Sequence, residues 1–298
     1  SRHRSSHSKN SYARNTSLSI RPARWGLLAA YDELKDTSDT DPPITTIYGG
    51  AKLGKTTLAS EWPLPYYCRT GEGERQSAGT PMKSFGVSES YEDVVDQINF
   101  MLEAEHDRRT FVVDALDGME VFINAEACAR NGWADIEEPG FGKGYAAAHA
   151  IWLEFIKLIL KLKKAGYYVV LISHVKAKTV PGVTTDSYPR YMLNLRDDSG
   201  SAICDASDLI GFLHQRVSIA KEDLGFKKTA KRGQGGGEVN IAVQERPGFI
   251  AGNRYQMPKA VLEYKQGQGF AALNAYFPPQ PDVVTAQVTE EPDEEEAA

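Results

Sequence analysis

Between Gly49 and Thr56 the chain reads G-x-x-x-x-G-K-T, inside the stretch "TTIYGGAKLGKTTLAS". That spacing suits a phosphate group. Gly49 lets the chain turn out of a strand, and Gly54 lets the backbone close on an anion. The amides of Gly50, Ala51, Lys52 and Leu53 can point inward as a cradle, at the positive end of the helix that follows. Lys55 reaches the β- and γ-phosphates, Thr56 offers a hydroxyl to Mg²⁺, and Thr57 extends the set. Lys52 either touches phosphate as well or stays solvated.

A bound Mg·ATP needs a carboxylate behind the metal. Asp114 closes the apolar run "TFVVD" and is the candidate, so Thr56 and Asp114 form the expected metal pair. A strand-end aspartate also serves as a helix cap. Asp117, three residues on, is expected to cap the helix "GMEVFINAEACAR" and leave Asp114 for the metal. Hydrolysis needs a group that orients water, and a glutamate ending the strand beside the glycine-loop strand would suit. The stretch "YYCRTGEGERQ" offers Glu72, with Glu74 as the alternative. At the end of "VVLISH", His174 or Ser173 is expected to face the γ-phosphate.

These groups need strands that end together. "ITTIY", "LPYYC", "TFVVD", "GYYVVLISH" and "DLIGFLHQ" are short runs rich in β-branched or aromatic residues. Unbroken apolar strands separated by helices imply α/β architecture, a mostly parallel sheet covered by helices. Helices are expected over about 55–61, 91–106 and 143–165. The last shows Glu154, Lys157, Lys161 and Lys164 as a wet stripe, and its "KLKK" run reads as a solvated face.

The 298 residues carry a net charge of −6, unevenly placed. Residues 1–24 hold six bases and no acid, and residues 282–298 hold seven acids and no base. Such ends read as disordered tails that bind partners or solubilise the chain. The expected layout is a basic arm over 1–40 with a possible short helix, an ATPase domain over 41–277, and an acidic tail over 278–298. No apolar run approaches a membrane span, no apolar signal segment opens the chain, and three scattered cysteines suit a reducing cytoplasm.

With these motifs in order, the chain resembles the RecA-like P-loop ATPases, and more narrowly the phage-encoded nucleotide-binding proteins of the Sak recombinase group. "GGAKLGKTTLA", "FVVDALDGME", "GFGKGYAAAHAIWLEF", "VVLISHVKAK", "KEDLGFKKTAKRGQGGG" and "ERPGFIAGNRYQMP" carry the resemblance over roughly residues 44–260. It implies ATP-dependent filaments or rings on single-stranded DNA, acting in annealing or strand exchange, with a single-strand-binding protein as a further partner. A branch-migration or helicase-type translocase and a non-enzymatic ATP-switched loading module are the alternatives. By this resemblance Gly49, Gly54, Lys55 and Thr56 are the Walker A loop, Asp114 the Walker B aspartate and His174 the γ-phosphate sensor. "GNRY" resembles a K-N-R-[FY] element whose basic residues reach a neighbouring subunit's ATP. Gly252 replaces its lysine, so Arg254 would act alone. Phe141, Lys143 and Tyr145, together with Lys176, Lys178, Tyr188, Arg190 and Tyr191, offer the charges and stacking faces that single-strand binding uses.

Overall fold

The computed structural model describes residues 40–71, 83–182, 186–223 and 229–280, with backbone alone over 216–223 and 229–236. Glu72, Glu74, residues 1–39 and the tail from 281 onward lie outside the described residues.

Strands β1 (Ile44–Gly49), β2 (Pro65–Arg69), β3 (Thr110–Asp114), β4 (Tyr168–Val180) and β6 (Leu209–Asp223) are parallel, in the order β2-β3-β4-β1-β6. Strand β7 (Thr229–Ala242) pairs antiparallel with β6, and β9 (Val261–Tyr264) antiparallel with β7. Strand β5 (Tyr188–Leu193) folds back on the outer half of β4, and β8 (Gly252–Asn253) on the start of β6. The helices are α1 (Lys55–Ala59), α2 (Tyr91–Glu103), α3 (Leu116–Asn131), α4 (Lys143–Lys164), α5 (Asp197–Ala206) and α6 (Gly269–Asn274). The α/β expectation is borne out: the sheet is mostly parallel and both faces are covered.

Side-chain alternation divides the core. Phe111, Val113, Val169 and Leu171 face α2, α3 and α4, where Val94, Ile98, Met119, Trp152 and Phe155 meet them. Val112, Val170 and Ile172 point the other way, onto Leu58 and Trp62 near α1 and Leu273 of α6. A strand buried on both faces must be apolar at successive positions, which is the pattern of "FVV" and "VVLI".

Three expectations need correction. Strand β2 lies at the outer edge of the sheet, beside β3 and three strands from β1, roughly 14 Å away at the usual strand spacing. The strands beside β1 are β4 and β6, so the premise that pointed to Glu72 fails. A helical connection can pass over several strands, and chain order therefore does not set lateral order. Second, Lys163 of the "KLKK" run is buried, and its Nζ donates to Asp208 Oδ2 at 2.8 Å. Third, the runs at 166–174 and 208–215 belong to longer strands that continue past the sheet edge as hairpin arms. Among the described residues no helix is long and apolar enough to cross a membrane.

Candidate functional site

Strand β1 ends at Gly49, where a Cβ would lie 2.4 Å from the carbonyl oxygen of Leu213 on β6. Close strand approach therefore requires this glycine, in addition to the turn. The loop that follows bends through Lys52 (φ 61) and Gly54 (φ 90), left-handed positions where glycine is at ease and lysine is strained. Helix α1 has only five residues, so its dipole is small and the loop amides and Lys55 supply most of the anion-binding potential. Lys55 is buried, and its Nζ donates to the carbonyl oxygens of Gly49 at 3.2 Å and Gly50 at 2.9 Å. These bonds hold the ammonium over the loop, within a side-chain rotation of the anion it would meet.

Thr56 and Asp114 come together as expected. Asp114 is fully buried at the end of β3, and its Oδ2 accepts the Thr56 hydroxyl at 2.6 Å across the intervening β4. A buried carboxylate that aims a threonine hydroxyl at the mouth of a phosphate loop is the donor set a Mg²⁺ bound to a nucleotide uses. The residues fit Mg·ATP: Thr56 would hold the metal directly, with Asp114 behind its water shell. Burial, followed by the charge of Asp114, pushes the Tyr67 hydroxyl well above its ordinary pKa, so it stays a neutral donor and reaches the Thr56 carbonyl at 3.4 Å.

His174 pairs with Gly49 in the β1–β4 register, which brings it to the loop's edge. The surprise is Asp117. Helix α3 starts after Ala115 with no side-chain cap, so Asp117 is not its cap. Its Oδ2 accepts the backbone N–H of His174 at 2.9 Å and the Ser173 hydroxyl at 3.3 Å, and lies 3.4 Å from His174 Nδ1. Its Oδ1 accepts the Asn194 amide at 2.6 Å. Asn194 directly follows β5, and its own N–H reaches the His174 carbonyl at 3.0 Å. One carboxylate thus binds the phosphate edge of β4 to the base of the β4–β5 arm. In the sequence, the spacing of "DALDG" was equally compatible with a cap, and nothing there marked Asn194 at all. Gly118 makes the placement possible, since a Cβ there would lie 2.5 Å from the Thr70 carbonyl oxygen.

Arg254 lies elsewhere. Its N–H donates to the Asp208 carbonyl at 2.9 Å, and its guanidinium meets Asp208 Oδ1 at 3.3 Å and the Asp205 carbonyl at 3.0 Å. That is the start of β6, level with Thr45, whereas the loop leaves β1 level with Leu213. Arg254 is therefore at the opposite end of the strands from its own chain's loop, and it is not part of the site assembled within one chain.

The stacking residues are partly committed. Tyr145 lies under the Arg196 guanidinium at 3.9 Å and donates its hydroxyl to Glu137 at 2.5 Å. Phe141 is fully exposed in a left-handed bend between Gly140 and Gly142. On the arm, Lys176 and Lys178 both pair with Asp197, and Arg190 pairs with Glu245. Tyr191 is exposed.

Residues 41–255 match a protein-family model described as an AAA domain. Among curated proteins no match is found. The match spans well over half of the chain and takes in the glycine loop, Thr56 and Asp114 alike, so the chain belongs to the AAA domain family, an AAA-type P-loop ATPase.

Proposed function

We propose that the protein hydrolyses Mg·ATP and couples the nucleotide state to single-stranded DNA held by the β4–β5 arm, working as an oligomer in annealing or strand exchange of the phage Sak type. The observation that carries the nucleotide half is the 2.6 Å bond from Thr56 to buried Asp114 at the mouth of the loop. Lys55 would leave the Gly49 and Gly50 carbonyls for phosphate oxygens, exchanging neutral acceptors for anionic ones, which bind an ammonium more strongly. Mg²⁺, when bound, neutralises charge that develops between the β- and γ-phosphates. In this reading His174, held by Asp117 level with Gly49, contacts the γ-phosphate, and Asn194 passes any shift of that contact to the arm.

The DNA half is supported by the arm's composition. Its lysines and arginine pair with partly exposed carboxylates, and exposed pairs are worth only about 0.2–1 kcal/mol. Phosphates of a nucleic acid can replace Asp197 and Glu245 at little cost. Those same ion pairs favour a second reading, an ATP-switched module that loads a protein partner and does not bind DNA. Turnover measured with and without single-stranded oligonucleotide separates them. Stimulation by DNA that disappears in Asn194→Ala, while basal turnover persists, supports the proposal. Turnover indifferent to DNA, with no DNA binding in any nucleotide state, leaves the switch.

A further inference from the structure

Tyr48, the residue before Gly49, is fully buried. A buried phenol needs a partner for its hydroxyl. Tyr48 finds it far away in the chain: its hydroxyl donates to the Ile250 carbonyl at 2.6 Å and lies 3.2 Å from the Tyr191 carbonyl. Tyr191 belongs to β5, and Ile250 follows the turn at 246–249. These two segments are themselves paired. The Tyr191 N–H donates to the Gly248 carbonyl at 2.8 Å, and the Ile250 N–H to the Tyr191 carbonyl at 3.1 Å. One hydroxyl therefore bridges both sides of the junction at the root of the β4–β5 arm.

The ring makes the same connection. Tyr48 stacks on Phe212 of β6, with centroids 4.8 Å apart and planes at 27°. Phe212 stacks in turn on Tyr191 at 5.7 Å and 23°, and tilts against Phe249 at 5.2 Å. These are the spacings at which aromatic pairs attract. The row of rings begins beside the glycine loop and ends at the exposed Tyr191 on the arm.

Two consecutive residues thus serve opposite faces of the sheet. Tyr48 packs on the face that α4 covers, while the glycine-loop helix packs on the other through Leu58. Gly49, between them, has no slack, because a Cβ there would lie 2.4 Å from the carbonyl oxygen of Leu213, the residue after Phe212. The Gly49 carbonyl is also one of the two that Lys55 holds and would release to phosphate. A rearrangement of the loop around an anion therefore starts one peptide from Tyr48. For packing alone phenylalanine would serve at 48; the hydroxyl adds the bond to the arm. We infer that Tyr48 is a positioning residue that couples the glycine loop to the arm, so that ordering of the loop on a nucleotide and closure of the Tyr191–Ile250 pairing occur together.

This role rests on the Mg·ATP reading, and hydrogen exchange keeps the two apart, because loop and arm report separately. In the parent, saturating Mg·ATP should slow exchange over 188–193 and 246–251 by about fivefold or more, the low end of common coupling between sites. In Tyr48→Phe, which keeps the ring and loses the hydroxyl, ATP should still protect 49–57. Its effect on the two arm segments should shrink to less than about twofold, since the coupling bond is gone. Val94→Ala truncates a buried side chain of α2 and should lower stability while keeping the parental effect on the arm. A parent in which ATP protects the loop but not the arm segments would overturn the coupling and leave the loop reading standing, whatever the folding of the variants. So would a Tyr48→Phe protein that keeps the parental slowing, or a Val94→Ala protein that loses it as well. A parent in which ATP protects neither region would overturn both.

Discussion

Asp117 accepts the backbone N–H of His174 at 2.9 Å, so the first turn of α3 is tied to β4 at the residue level with Gly49, where the glycine loop begins. The same carboxylate holds Asn194 at 2.6 Å, which makes it the junction between the phosphate edge and the β4–β5 arm.

Asp117→Ala removes all of these acceptors from a partly exposed site, so the fold should survive with a loss of about 1–3 kcal/mol. Misplacing His174 should slow turnover by roughly 10- to 100-fold with ATP affinity nearly intact. Steady-state kinetics beside equilibrium ATP binding check this. A fall in affinity with unchanged turnover would give Asp117 a binding role instead.

Lys55→Ala should abolish measurable ATP binding at concentrations that saturate the parent, since a charge-assisted contact to phosphate is lost. Asp114→Asn should keep ATP binding but lose most Mg²⁺-dependent turnover, because an amide replaces the carboxylate that stands behind Thr56. Isothermal titration with and without Mg²⁺ distinguishes the two; a parental Mg²⁺ dependence in Asp114→Asn would move the metal role elsewhere.

Asp208 is buried and takes the Lys163 ammonium and the Ile44 N–H, both at 2.8 Å. Asp208→Ala should cost about 3–5 kcal/mol, because a buried ammonium loses its counter-ion. Arg254→Ala should cost at most about 1 kcal/mol, since that side chain is 60% exposed. Thermal melts of the two variants give the comparison.

The Arg254→Ala variant also tests the subunit question. An arginine at the far end of the strands does not reach its own chain's loop, so any role at a nucleotide would be at another copy's. Mixed with Lys55→Ala, it should recover part of the DNA-stimulated activity if sites are shared between copies. A mixture no more active than either variant alone would rule out such sharing.

Gly118→Ala should lower stability by about 1–3 kcal/mol, since the added methyl meets both the Thr70 carbonyl oxygen and the Thr70 hydroxyl, which is itself held by the Ala115 backbone. The same strain displaces Asp117, so turnover should fall with it. Chemical denaturation and turnover measured on one preparation show whether the two losses travel together.

The glycine loop, Thr56, Asp114 and the arrival of His174 at the same edge were legible in the sequence. A loop of this kind is local: its glycines, lysine and hydroxyl act within eight consecutive residues, and an apolar run ending in an aspartate announces a buried strand with a carboxylate at its tip. Parallel α/β architecture was legible for the same reason, because strands buried on both faces must be apolar throughout. Lateral order was not. Whether β2 lies beside β1 or at the far edge depends on how helices pair over the sheet, and a connecting helix leaves no trace of how many strands it crosses. The buried Lys163, the turn of Asp117 away from its own helix and the bond from the Tyr264 hydroxyl to Glu61 all join residues far apart in the chain. Each charged or polar side chain had a plausible solvated or capping role nearby. Only tertiary packing, by bringing a distant donor within about 3 Å, decided between them.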